Sequence, residues 1–218
     1  MMRRLWGMLF AACFACALGA SPVAADGERP GDFDYFVMSL SWSPSWCALE
    51  GDARKSPQCD AGTGFGWVMH GLWPQYERGW PAYCPTAVRA PSRGMTAEMA
   101  DIMGTPGAAW HQWKKHGTCV GVEAAQYYGL MRLAYERIER PEVLRGLGRD
   151  VTLPARVVEQ AFLEANLGLE ADQITITCRD GRIQEARICL DMALKPRRCG
   201  ADVIRDCRAQ DALLEKLR

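Results

Sequence analysis

The sequence predicts an α+β fold: a mostly antiparallel central sheet with packed helices, in one disulfide-stapled domain. Three observations predict it. Hydrophobic residues alternate with a period of two near both ends of the chain, recur every three or four residues in its middle, and are accompanied by an even set of cysteines behind an export leader.

The leader comes first. Arg3 and Arg4 precede an apolar stretch from Leu5 to Ala20, and Val23-Ala24-Ala25 offers small residues for cleavage. Residues 1–25 are therefore expected to be a signal peptide and residues 26–218 a single domain, secreted or periplasmic. The apolar run is too short, and too soon followed by Ser21-Pro22, to favour a spanning helix; an uncleaved anchor is the alternative. No later segment is apolar enough to span, so no membrane contact is expected after cleavage. Two of the 26 basic residues leave with the leader while all 26 acidic residues stay, which makes the mature chain about two charges negative. A nucleic-acid partner would have to be held by a few local contacts and stacking, because a broad basic field is missing.

Asp34 to Leu40 alternates and is rich in aromatic and β-branched residues, which predicts a strand, broken by Ser43-Pro44 near Cys47. Gly62, Gly64 and Gly66 lead into a second strand at Trp67-Val68-Met69-His70; neither phosphate-binding glycine pattern is complete there. Helices are expected over Met95–Met103 and Ala108–His116, the second stopped by Gly117. From Val122 to Ile138 the spacing of Val122, Ala125, Tyr128, Met131, Ala134 and Ile138 predicts an amphipathic helix, and Val157–Leu167 another, with Gly168 as its cap. Ile174, Ile176 and Cys178 then alternate with threonines, Asp180-Gly181 turns the chain, and Ile188 and Leu190 answer from a return strand. Cys47, Cys59, Cys84, Cys119, Cys178, Cys189, Cys199 and Cys207 remain after the leader, with no Cys-x-x-Cys among them, which favours four disulfides over a zinc site.

The chain holds three histidines, His70, His111 and His116, each in a segment dense in Trp, Lys, Gly and Cys. At about 100° per residue, taking His111 as zero, Lys115 lies at about 40°, Gln112 at about 100° and His116 at about 140°. One helix face thus carries every polar candidate. Trp113 at about 200° and Trp110 at about 260° are expected to anchor the other face in the core. Two imidazoles beside a lysine suit chemistry on a phosphate ester, since histidine moves protons near neutrality and lysine stabilises charge on phosphoryl oxygens. The histidine spacing of five, with no His-Glu-x-x-His, argues against a metalloprotease, and Gly-x-Ser-x-Gly is absent. No metal and no cofactor are expected.

His70-Gly71-Leu72-Trp73-Pro74 and Trp113-Lys114-Lys115-His116-Gly117-Thr118-Cys119 resemble, in order, the two active-site segments of the T2 family of secreted ribonucleases. The resemblance implies metal-independent endonucleolytic cleavage of single-stranded RNA, with low base specificity, through a 2′,3′-cyclic phosphate, by a monomer. By motif position His116 would be the general base on the 2′-hydroxyl and His70 the general acid, while His111 and Lys115 hold the phosphate. Trp73 is assigned to the substrate site, where it would stack on a base, with plain core packing as the alternative. Gln75, Trp80 and Tyr83 either touch a base or pack a loop tied down by Cys84. The family spacing suggests Cys84 with Cys119, Cys47 with Cys59, and Cys178 with Cys207 around Cys189 with Cys199.

The chain departs from the family pattern at Gln112, where a Glu is usual, and at Ala108 and Ala109, where aromatic residues are common. Gln112 keeps the shape and a hydrogen-bonding amide but loses a charge beside the proton-transfer pair. Attenuated or pH-shifted catalysis is the expectation, and a secreted binding or effector protein on the same fold is the rival reading.

Overall fold

The computed structural model describes residues 28–218; the expected signal peptide, 1–25, lies outside them. Among the described residues six strands form one sheet: β1 (Tyr35–Trp42), β2 (Trp67–Gln75), β3 (Val151–Leu153), β4 (Ile174–Arg179), β5 (Arg182–Leu190) and β6 (Ala212–Leu214). Their order is β2-β1-β5-β6-β3, with β4 also paired to β5. Every pairing is antiparallel except a single parallel contact of β5 with β6, at Arg182 and Leu213. Among the described residues eight α-helices lie between and beside the strands: α1 (Ser43–Trp46), α2 (Arg93–Glu98), α3 (Ala100–Met103), α4 (Pro106–Gln112), α5 (Thr118–Val120), α6 (Ala124–Arg137), α7 (Glu142–Arg145) and α8 (Ala155–Ala165). The fold class is the expected one.

β1 is buried along its whole length because both of its faces are covered. Phe36, Met38, Leu40 and Trp42 join the large core under the helices, where Trp67, Met131 and Phe162 also pack. Tyr35 and Val37 point the other way, into a smaller cluster with Cys189, Cys199 and Val203. That alternation follows from the two-residue period of a strand.

β2 is an edge strand, and α6 covers its open side. The Tyr127 and Tyr135 hydroxyls donate to the carbonyls of Leu72 and Trp67, each at 3.0 Å, satisfying acceptors that an edge would otherwise leave to water or another chain. Pro74 is tolerated in β2 for the same reason, since an edge position needs no ladder donor. Between β4 and β5, Asp180 (φ 49°) and Gly181 (φ 74°) make the tight turn that the Asp-Gly pair predicts.

Four disulfides close the chain: Cys47–Cys59, Cys84–Cys119, Cys178–Cys207 and Cys189–Cys199. This is the pairing that the family resemblance implies. The sequence reading did not include β3 and β6, each three residues long, or the four-residue α1 and α7. Among the described residues no helix is long and apolar enough to cross a membrane.

Candidate active site

The first segment lies on β2, and its register is broken at one point. Ser39 of β1 faces Gly71 and Leu40 faces Met69, which leaves His70 as an extra residue with no opposite number. Such a bulge takes one side chain out of the alternation and re-aims it. His70 would otherwise share the core face with Leu72; instead it is exposed and lines a cleft.

The second segment departs from regular geometry as well. The expected helix Ala108–His116, ending at Gly117, runs from Pro106 to Val120, with residues Trp113–Gly117 wound as a wider turn in which the Thr118 amide bonds to the Trp113 carbonyl five residues back. Gly117 is therefore an interior residue; a Cβ there would sit 2.5 Å from Trp113 and 2.8 Å from Tyr127. The stop is Gly121, at φ 79°. Five residues separate His111 from His116, so the wider turn brings the two histidines nearer to one line than a regular helix would.

Trp113 is in the core as expected, but Trp110 is not. Ala109, Gln112, Trp113 and His116 are buried, whereas Trp110 is 39% exposed. The buried arc takes in Gln112 and His116 because the Trp73 ring of β2 packs against them, and Trp110 falls on the flank beyond that contact. His111 and Lys115 sit at the rim, the first exposed and the second half-buried.

A cleft of about 360 Å³ lies where the two segments meet, lined by His70, Trp73, Gln75, His111, Gln112, Lys115 and His116 together with Trp80 and residues of β5. Tyr83 does not line it: this residue is exposed, and its amide donates to the Lys115 carbonyl at 2.8 Å. The Cys84–Cys119 bridge ties the chain following the first segment to the end of the second. Trp73 holds the centre. Its ring stacks on His116 at 5.3 Å between centroids and meets His70 edge-on at 5.3 Å, and its Nε1–H donates to Gln112 Oε1 at 2.8 Å. The indole thus spaces the two imidazoles. Gly71 makes room for this contact, since a Cβ there would lie 2.2 Å from Trp73 Nε1 and 2.3 Å from Gln112 Oε1.

Sequence reasoning missed the residues that β5 contributes. Glu185 is buried on the cleft side of the sheet, and its Oε1 lies 2.5 Å from His70 Nδ1. Its other oxygen accepts from Arg187 Nε and Nη2 at 2.8 and 2.6 Å. The Arg187 guanidinium lies over the Trp73 ring, 5.3 Å from its centroid. A signal was available: Glu185 and Arg187 are two apart on a strand, so they share one face, and ionic residues that interrupt a buried strand need partners.

The charges divide the histidines. Burial, and then the charges of Lys115, His70 and His111, pull the His116 imidazolium down to about 3, and its Nδ1 has no hydrogen-bond partner among the described residues. His111 is lowered by partial burial and by Lys115, Lys114 and His70. Burial would raise the Glu185 carboxyl, but the hydrogen bond and charge of His70, with Arg187, outweigh it and hold the group at about 2. The cleft therefore contains one neutral buried imidazole, one imidazole on a buried carboxylate, and a rim lysine. Such a set accepts a proton at one end, donates one at the other, and neutralises an anion between them.

The chain is 40% identical over 137 residues to a ribonuclease of Aeromonas hydrophila, covering 63% of this chain and 58% of that one. It is 31% identical over 129 residues to a probable ribonuclease of Haemophilus influenzae, covering 54% and 47%. The chain thus spans about half the length of these curated relatives. The fold is similar to that of the self-incompatibility associated SF11-RNase of Nicotiana alata, with a TM-score of 0.65 and 18% identity over 85% of this chain and all of that one. The family model described as the Ribonuclease T2 family matches residues 33–199, and the chain belongs to that family.

Proposed function

We propose that this protein is an exported endoribonuclease that cleaves single-stranded RNA with low base specificity through a 2′,3′-cyclic phosphate, without a metal ion. The observation that carries the reading is the pairing, across one cleft, of a buried neutral imidazole with an imidazole that rests on a buried carboxylate. His116, neutral above about pH 3, takes the proton of the 2′-hydroxyl as that oxygen attacks phosphorus. The bond from phosphorus to the 5′-oxygen breaks, and His70 gives its proton to the departing oxygen. Lys115 and His111 hold the phosphoryl oxygens at the rim, where negative charge builds up in the transition state. Water then opens the cyclic ester with the two histidines exchanging roles. Every group named comes from one chain, so a monomer suffices.

The wall of the cleft supports weak base selection. Val37, Trp80 and Val203 offer flat or apolar surface, and stacking accepts any base because every base has a π-face. Trp73, held between His70, His116 and Gln112, acts in this reading as the spacer of the catalytic pair, and Gln75 borders the base. Export is supported by the leader pattern of residues 1–25 and by four disulfides, which persist in oxidising compartments. The rival reading, a binding protein with faded catalysis, rests on Gln112.

Incubation of the purified protein with single-stranded RNA in excess chelator tests the proposal. The expected products carry 2′,3′-cyclic phosphate ends, and a 2′-deoxy linkage stays intact because its nucleophile is missing. Cleavage at the deoxy linkage, or activity abolished by the chelator, overturns the mechanism; no cleavage at all favours the binding protein.

A further inference from the structure

We propose that Glu185 is the positioning residue of the general acid: it fixes the His70 ring so that Nδ1–H faces the sheet and Nε2 faces the scissile phosphate. The inference rests on the ribonuclease reading above and extends it to β5, outside both motif segments.

Glu185 is 2% exposed, and a carboxylate is not held there without partners on both oxygens. One oxygen meets His70 Nδ1 at 2.5 Å, and the other meets two donors of Arg187 at 2.8 and 2.6 Å. Because Arg187 occupies Oε2 with donors, Oε1 is left to accept, and an ionised carboxylate can only accept. His70 must then carry its proton on Nδ1 whenever it is neutral. In the imidazolium both nitrogens carry protons, so the transferable one is on Nε2. After transfer to the 5′-oxygen the ring is left as the Nδ1–H tautomer, already bonded to Glu185, and Nε2 is free to take a proton from water in the second step. No ring flip is needed between the two halves of the cycle.

Arg187 also makes the arrangement directional. In a Glu185→Gln variant the amide has one acceptor oxygen, and Arg187 claims it with two donors. The NH₂ group then faces His70 Nδ1, which favours a lone pair at that atom and a proton on Nε2. The neutral ring is turned into the wrong tautomer, and the imidazolium meets a donor where it needs an acceptor. Glu50, the other carboxylate whose charge reaches His70, is already paired with Arg54 and Arg179.

Two measurements test this. In the unaltered protein, ¹⁵N–¹H spectra of the histidine rings at alkaline pH should show neutral His70 as the Nδ1–H tautomer; an Nε2–H tautomer overturns the proposal without any variant. In Glu185→Gln, with folding checked by circular dichroism, His70 should change to the Nε2–H tautomer, and kcat on RNA should fall by about a hundredfold or more with KM within about threefold, the pattern of a misplaced proton donor. An unchanged tautomer, or a loss confined to KM, overturns it. The spectra do not depend on turnover, so a protein that cleaves no RNA but still shows the tautomer change refutes the ribonuclease reading alone.

Discussion

The two segments that build the cleft solve one problem in opposite ways. On β2 an extra residue in a strand swings His70 outward, where its side chain is 44% exposed and rests on a buried carboxylate. On the helix a wider turn carries His116 inward, where it is 4% exposed and its Nδ1 has no partner among the described residues. Both devices add a residue to a regular repeat, and both act on a histidine. Their surroundings differ. His70 Nδ1 rests on the Glu185 carboxylate, whereas burial and neighbouring positive charge make the His116 ring give up its proton. In the proposed reaction this asymmetry distinguishes acid from base, although the two side chains are identical in chemistry.

The sharpest way to break the comparison is to remove each ring in turn. His116→Ala and His70→Ala should each lower kcat on RNA by about two to four orders of magnitude, the scale of general acid or base removal. A substrate whose leaving group is an activated phenol separates them, because such a group departs without a proton. On that substrate His70→Ala should recover most of its activity and His116→Ala should not. Equal recovery in both would show that the two positions do not differ in role.

A smaller effect is expected where the segments touch. Gly71→Ala places a methyl group within 2.3 Å of both the Trp73 nitrogen and the Gln112 oxygen. The indole must shift, and with it the spacing of the imidazoles. Overpacking of this kind costs about 1–3 kcal/mol, so denaturant titration should show a lower midpoint with an unchanged slope, and kcat should fall more than KM rises. Unaltered stability would mean that the Trp73–Gln112 contact is not the constraint on Gly71.

What the sequence disclosed, and what it hid, follows the same division. The strands of Tyr35–Trp42 and Ile174–Leu190 and the helix Ala124–Arg137 were legible because their apolar spacing matches a regular period. The motif residues were legible by resemblance. The irregularities were not: the wheel puts Trp113 in the core correctly, but it also puts Trp110 there and leaves Gln112 and His116 outside, because it does not show that Trp73 packs against those two. Glu185 was hidden for a different reason. It is 115 residues from His70, and only the pairing of β5 with β1, itself paired with β2, brings them together. β3 and β6 were too short to show any period.

The smallest predicted effect concerns Gln112, which touches both sides of the comparison. Its oxygen accepts from Trp73, and the Trp73 ring stacks on His116. In Gln112→Glu the carboxylate keeps that acceptor, so the spacing of the rings is preserved, and it adds a negative charge near His116, whose proton the charges of Lys115, His70 and His111 otherwise disfavour. The sign is fixed. Burial and the cationic neighbours hold His116 at about 3, and a carboxylate favours the imidazolium, so the value must rise toward that of free histidine. A base near 3 is available at every working pH but takes a proton weakly; moving it closer to neutrality strengthens it. The acid limb of the pH–rate profile should therefore move to higher pH, with turnover near neutrality equal to or a few times above that of the unaltered protein. The basic limb should stay in place, because the new charge lies beside His116. A shift of the basic limb, or a loss as deep as that of the histidine variants, would mean that the amide is part of a rebuilt site and that the two segments are not electrostatically separate.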